Sequence, residues 1–410
     1  MFLSMKNMFT VSMVIVLSYL SSSSFTAYNE HLLMMKIDAV SFWMLIIVLL
    51  LWVSSSFSEF IIKPAFVVMM VFLFFSFTMN NLTIFFLSFE STLIPILYTI
   101  IQDGMSQERL KASFYMFFYT IFSSLPLLFI ILMMNNSLMY SFEVMSLTYI
   151  YPSLFMLMVF AFMVKMPVFF FHAWLPKAHV EASTLGSVFL AGLLLKLGSY
   201  GFYRFANMFA MNLNSYVLSL GLVASVVSSM MCVIQTDLKV MIAFSSIVHM
   251  SMNLIILAQL KSVVEESFIM ANLSHSLISA ALFLGFGSNY SWLKSRSSLL
   301  LKGMFLLSPV FFFCWFIICF LNMSLPPSIG FIGEVLMTSI VFSFTKSFFL
   351  IAVLMSILFW FVGIYCLILF TSISHGKYLQ KSILFFNNNN LCLVFFISHT
   401  LIPLILNPWF

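Results

Sequence analysis

Six ionisable side chains stand inside long apolar runs. Glu90 lies in Phe85-Phe86-Leu87-Ser88-Phe89-Glu90-Ser91-Thr92-Leu93-Ile94-Pro95, Lys165 in Ala161-Phe162-Met163-Val164-Lys165-Met166-Pro167, and Lys196 in Leu193-Leu194-Leu195-Lys196-Leu197-Gly198. His249 and His275 fall near the middle of their runs, and Glu334 follows Gly330-Phe331-Ile332-Gly333. A charge at bilayer depth costs at least ~2.5–3.5 kcal/mol, so each needs a partner, water or a function. Two carboxylates, two amines and two imidazoles can together form a proton relay. Burial disfavours the charged form of any of them and a nearby opposite charge restores it. A lysine whose carboxylate partner moves away therefore releases its proton more easily. The competing reading is a set of structural ion pairs and snorkelling side chains. The spread over six spans, with two groups beside helix breaks, favours a relay. Glu90 and Lys165 are expected within salt-bridge or one-water distance, because neither can stay charged and alone in lipid.

Other polar residues take plainer readings. His172, Lys177, His179 and Glu181 lie in the stretch Phe171–Glu181, read as an interfacial turn that anchors and pairs rather than relays. Asp237 is a reasonable helix cap, and Lys239 is either a surface charge or a relay inlet. Glu108 and Arg109 form a solvated loop pair. Cys232, Cys314, Cys319, Cys366 and Cys392 lie in apolar runs without the close spacing of a zinc or redox site, and read as small core residues. There is no phosphate-cradling glycine loop and no His/Cys cluster.

The elements that must hold these groups follow from composition. Of 410 residues, 7% are charged and 63% hydrophobic, against about 25% charged in a soluble domain. Lipid must therefore be the solvent for most of the chain. This excludes a secreted disulfide scaffold, a nucleic-acid binder and a cytosolic enzyme. The fold class is an all-α polytopic membrane protein with thirteen transmembrane helices, at 8–26, 37–57, 64–79, 82–101, 112–134, 152–171, 180–205, 214–235, 240–259, 265–287, 303–345, 347–371 and 391–407. The sixth is interrupted at Met166-Pro167 and the eleventh at Leu325-Pro326-Pro327-Ser328, since proline removes a donor from the helical ladder. Open backbone at membrane depth is tolerated only against protein or a water-filled cavity. The start of the chain lacks an Arg-rich amphipathic stretch and is expected to be retained rather than removed as a presequence. With thirteen spans, eleven basic residues fall on the side of the N-terminus and the even-numbered loops, and only Lys36, Arg204, Lys261 and Lys346 on the other. The N-terminus then faces the inner compartment. The connections 135–150 and 372–390 are too short for a folded extramembrane domain, and Asn387–Asn390 reads as a solvated loop.

The chain divides into N-terminal helices (1–63), a first five-helix repeat (64–205), a second (206–371) and a C-terminal loop and helix (372–410). Each repeat contains a broken helix. Five is odd, so the second set crosses in the opposite sense to the first. Paired interrupted helices in inverted halves point to a transport path.

The segment Ala161–Val180, AFMVKMPVFFFHAWLPKAHV, resembles the central signature of the antiporter-like membrane subunits of respiratory complex I. The likeness continues through Leu193–Gly201 (LLLKLGSYG), Gln235–Lys239 (QTDLK), Ala243–Met250 (AFSSIVHM) and FESTLIP around Glu90, and covers nearly the whole chain from residue 37. It implies two inverted five-helix repeats in the membrane arm and proton translocation driven by electron transfer elsewhere. Residue by residue, it implies Glu90 and Lys165 as the first-half pair, Lys196 as the connecting lysine, His249 and His275 as central imidazoles and Glu334 as the second-half site. A glutamate at Glu334, where sister subunits carry lysine, separates this chain from the largest member. The implied partners are other membrane-arm and supernumerary subunits of complex I, phospholipids and protons, with no nucleic acid. NADH, FMN, iron–sulfur clusters and ubiquinone are expected in other subunits, with none bound by this chain. The implied location is the mitochondrial inner membrane, in keeping with the high Phe and Met counts. Two departures stand out: the family commonly has fourteen spans, so one N-terminal helix is expected to be missing, and Ser183 stands where the family usually has proline. The rival readings are a subunit of a multi-subunit cation/proton antiporter, which shares the fold, and a purely structural membrane-arm subunit.

Overall fold

The computed structural model describes residues 37–58, 64–103, 108–134, 152–209, 214–259, 262–293, 295–303, 309–344 and 348–376. The spans expected at 8–26 and 391–407, Cys392, and the loops at 135–150 and 377–390 lie outside the described residues. Among those described there is no strand, and Asp237 and Ser297 form an isolated antiparallel bridge. The helices are α1 (Ala39–Ser58), α2 (Pro64–Thr78), α3 (Leu82–Ser91), α4 (Leu93–Asp103), α5 (Arg109–Met134), α6 (Pro152–Lys165), α7 (Trp174–Glu181), α8 (Thr184–Phe189), a π turn (Leu190–Leu194), α9 (Leu195–Phe209), α10 (Asn214–Ile234), α11 (Leu238–Leu257), α12 (Ser262–Leu293), α13 (Pro309–Asn322), α14 (Ile329–Phe344) and α15 (Phe348–Ser374). Seven helices among these residues are long and apolar enough to cross a membrane. The remaining described spans are the shorter α1 and α2 and the two broken elements α6–α7 and α13–α14. The chain is a multi-pass helical membrane protein.

Local sequence explains the punctuation. Asn81 caps α3 by accepting from Thr83 N at 3.0 Å. Pro95 has no N–H to give to the carbonyl of Ser91, and the chain bends there between α3 and α4. Pro152 and Pro309 open α6 and α13, where a missing donor costs nothing. Helix α6 stops at Lys165 because Pro167 cannot continue it and disfavours helical geometry at Met166. The gap is tied by Trp174, whose Nε1 donates to the carbonyl of Val164 at 3.1 Å.

One expectation is corrected here. Most of the interfacial turn expected over Phe171–Glu181 is a second helical piece: α7 carries buried Trp174, His179 and Glu181. The broken element is therefore α6–α7, and the following span begins at Thr184 rather than at residue 180. The sequence reads as a turn because Trp, Pro, Lys and His interrupt the apolar run. Buried partners on α11 and α12 override that local polarity.

The interior is formed by the α8–π–α9 rod together with α11 and α12. The outer faces belong to α5 and α15. On α5, Phe114, Phe118, Phe122, Leu125 and Phe129 form an exposed stripe, and α15 exposes Phe349, Val353, Trp360 and Leu367. Such stripes suit acyl chains or neighbouring apolar helices and would be intolerable in water. Helix α12 is the axle: at 32 residues it is about 48 Å long, and it packs against α1, α8, α11 and α14. It thereby joins the first set of spans to the second.

Candidate functional site

The first-half site forms where α6 ends against the bend after α3. Lys165 is the last residue of α6 and is buried. Its Nζ lies 3.5 Å from Glu90 Oε1, donates to the Phe89 carbonyl at 2.9 Å and sits 3.0 Å above the Phe89 ring centroid. The ammonium thus has a carboxylate, a carbonyl and a π face around it in place of water. The Phe89 carbonyl also accepts from Thr92 Oγ1 at 2.8 Å. Close packing of α9 against this break depends on Gly198: a Cβ there would stand 2.9 Å from Met166 N and 3.1 Å from the Lys165 carbonyl carbon.

The central group lies on α9, α11 and α12. Lys196 is buried and lies two residues after the π turn. The wider turn lets Nζ reach back to the Ala191 carbonyl at 2.8 Å while it contacts His275 Nδ1 at 2.6 Å. The His275 and His249 ring centroids are 5.5 Å apart. His249 Nε2 meets Asn322 Oδ1 at 3.2 Å, at the last residue of α13. Beneath these, Ser199 and Asn253 both donate to Asn272 Oδ1, at 3.0 and 3.2 Å, and clamp α9, α11 and α12 together.

The second-half site is Glu334, on α14 just after the second break. Ser324 holds φ +52° in that break, a left-handed conformation rare for serine, and donates from Oγ to Glu334 Oε1 at 2.6 Å. A cavity of about 30 Å³, open to water centres and lined by His249, Asn253, His275, Asn322, Ser324 and Glu334, connects this carboxyl to both imidazoles. That volume holds about two waters, and its polar lining supplies their partners.

All six candidate residues thus fall into two contacts and one shared cavity: Glu90 with Lys165, Lys196 with His275, and His275 and His249 with Glu334. The contacts of Lys165 and Lys196 form two separate groups. Lys165 is held by Glu90 and Phe89, and Lys196 by Ala191 and His275.

Several residues stand elsewhere than the sequence suggested. Lys239 is not a surface charge: it is buried and donates to the carbonyls of Val180 and Ala182, at 3.1 and 2.7 Å, at the end of α7. Asp237 occupies the position before α11 but its side chain makes no capping hydrogen bond. His179 is fully buried and stacked on Phe283 at 4.5 Å, and Glu181 pairs with Arg296 at 3.7 Å. Arg204, placed in a loop by the charge count, is buried at the end of α9, where it pairs with Asp38 and donates from Nε to Tyr200 Oη at 2.7 Å. Ser183 keeps the turn in which it sits. With φ −59° and ψ 164°, its hydroxyl accepts from Gly186 N at 3.2 Å and caps α8. Cys232, Cys314, Cys319 and Cys366 are free and buried. Sequence reasoning passed over Asn253, Asn272, Asn322 and Ser324. A polar amide inside an apolar run was the available signal.

A family model described as NADH:quinone oxidoreductase/Mrp antiporter, TM, matches residues 79–360. Among curated proteins, NADH-ubiquinone oxidoreductase chain 4 of Locusta migratoria is 35% identical over 386 residues, covering 90% of this chain and 86% of that one. The protein of the same name from Artemia franciscana is 38% identical over 309 residues, covering 75% and 78%. Among solved structures, respiratory complex I from Thermus thermophilus with bound NADH contains a chain that matches with a TM-score of 0.83 at 20% identity, over 91% of this chain and 81% of that one. The Mrp complex from Dietzia sp. DQ12-45-1b gives 0.85 at 17%, over 99% and 88%. At those identities the two structures share the fold.

Proposed function

Because this chain belongs to the NADH:quinone oxidoreductase/Mrp antiporter transmembrane family, we propose that it is a proton-translocating membrane-arm subunit of NADH:ubiquinone oxidoreductase, of the kind named chain 4 in its relatives. The observation that carries this reading is the polar line from Lys196 through His275 and His249 to Glu334, closed by a cavity sized for water. At 2.6 Å, Lys196 and His275 exchange a proton directly. The imidazoles pass it through the cavity waters to the Glu334 carboxyl, with Ser324 holding one oxygen. Glu90 and Lys165 load and release a proton at a separate site. Redox chemistry belongs to other subunits, which carry NADH, FMN, iron–sulfur clusters and ubiquinone; the buried polar groups here suit proton transfer. The partners are the other membrane-arm and supernumerary subunits and phospholipid, and the setting is the mitochondrial inner membrane. The ubiquinone-linked names of animal relatives support that setting. The likeness to an Mrp complex is one of fold.

Glu334 gives the test. Glu334→Gln keeps size and hydrogen bonding but cannot carry a proton, whereas Glu334→Asp keeps the carboxyl one methylene shorter. Assembly should be normal in both, with NADH-driven proton transfer clearly reduced in Gln and better retained in Asp. Equal proton transfer by the two variants in assembled complex would overturn the relay reading in favour of a structural role.

A further inference from the structure

Asn322 ends α13 at the lip of the second break and is buried. Its side-chain amide makes two contacts with different helices. Oδ1 faces His249 Nε2 on α11 at 3.2 Å, and Nδ2 faces Cys366 Sγ on α15 at 3.2 Å. An amide has one accepting and one donating end. With the donating end on sulfur, the end that meets His249 is the acceptor, so Nε2 must carry the hydrogen of that contact. The basic nitrogen of the neutral ring is then Nδ1. Which ring nitrogen is protonated is set by the bond the other one makes.

We propose that Asn322, anchored by Cys366, is a positioning residue that fixes the tautomer of His249, so that protons enter and leave this imidazole through Nδ1 alone. The inference rests on the relay reading of His249. Its consequence is that the ring does not conduct from one nitrogen to the other. A proton cannot be handed through Nε2 toward α13 and α15, because an amide oxygen is not a base and the thiol lies behind it. The imidazole serves as a reversible store beside His275 and the cavity rather than as an opening toward α15. Asn322 also lines the cavity, so the same residue orders the break and the ring. The titratable groups around His249 are His275 on α12, Lys196 on α9, Glu334 across the cavity on α14, and Cys366 on α15 behind the amide.

The test uses the assembled complex in proteoliposomes, with proton flux per NADH followed against pH. In Asn322→Asp a carboxylate faces Nε2 and holds the ring in its charged form, so the alkaline limb of the flux profile should move up by about one pH unit or more. Cys366→Ala removes the anchor and lets the amide turn over. Flux per NADH should fall several-fold, and Cys366→Ser, which restores an acceptor at the same place, should recover it. An unmoved alkaline limb in Asn322→Asp, or equal flux in the Ala and Ser variants of Cys366, would overturn the assignment. His249→Gln separates this from failure of the underlying reading. If His249→Gln pumps normally, the role of His249 itself falls. If it abolishes pumping while the Asn322 and Cys366 variants behave as the parent, only the positioning role falls.

Discussion

Replacing Glu90 by Gln removes one charge from the first-half pair with little change in shape. The magnitude follows from the geometry. At 3.5 Å and an effective dielectric near 20, two unit charges attract by about 5 kcal/mol. Partial exposure of the Glu90 side chain, 21%, makes that an upper value. A membrane potential of about 200 mV opposes each proton by about 5 kcal/mol. Making and breaking this one pair is therefore large enough to matter to one proton moving against the potential, whereas a surface pair of about 0–1 kcal/mol would not be. The carbonyl and ring of Phe89 remain around Lys165 in the variant, so the site should not collapse. The expected phenotype is specific: normal assembly, partial NADH-driven flux at zero potential, and a deficit that deepens as the potential rises. Each ~60 mV is worth about 1.4 kcal/mol, a factor of ten in rate when it falls wholly on the limiting step. The assay is NADH-driven pumping in proteoliposomes with the potential clamped by a potassium gradient and valinomycin. Glu90→Asp, which can still pair through a water, should fall between parent and Gln. A Glu90→Gln complex that sustains the parental potential would refute the argument that this pair is the lever.

Two further substitutions test the packing. Gly198→Ala should force α9 away from the α6 break by about half an ångström, at a cost of about 1–3 kcal/mol. Coupled turnover of the assembled complex should drop although both charged partners remain, and a variant with parental melting temperature and turnover would contradict this. Ser183→Pro should be tolerated, because φ at Ser183 is −59° and Ala182 before it has φ −64° and ψ 149°, a geometry proline accepts on both sides. Loss of the cap to Gly186 offsets the ~0.4–1 kcal/mol gained in the unfolded chain, so thermal stability and pumping should both match the parent within error.

Much of this architecture was legible from apolar run lengths, because a bilayer leaves little freedom in how a backbone crosses it. The eleven spans that fall within the described residues lie close to where the runs placed them. The six ionisable residues stood out for the same reason: in a chain with so few charges, a lysine between leucines is a strong signal. What failed was the reading of polar residues at the ends of runs. Lys239, Arg204 and His179 were assigned to loops or turns because they adjoin polar neighbours, yet each is buried by a helix distant in sequence. Uncharged donors such as Asn322 and Asn272 carry no electrostatic flag, and their importance lies in which helices meet at them.

The positions of the charges and of the helix irregularities are one physical problem. An unbroken helix satisfies its own carbonyls and offers a buried ammonium or carboxylate only side chains. At four of the six candidates the helix is irregular. Glu90 lies just before the bend made by Pro95, and Lys165 is the last residue before the Pro167 break. Lys196 follows the π turn and uses the Ala191 carbonyl, while Glu334 follows the second break and uses the Ser324 hydroxyl held there at positive φ. Only the imidazoles, His249 and His275, stand in regular helices, α11 and α12. Unlike an ammonium or a carboxylate, an imidazole has an uncharged form that still exchanges protons and needs no such compensation, and His275 takes its contact from Lys196. Side chains that must be charged at membrane depth thus stand beside broken backbone, and the imidazoles stand in regular helix. Proline or glycine within about five residues of a buried ionisable side chain, as at Glu90, Lys165, Lys196 and Glu334, is then the sequence trace of a candidate that uses broken or closely packed backbone, and neither His249 nor His275 has one at that spacing.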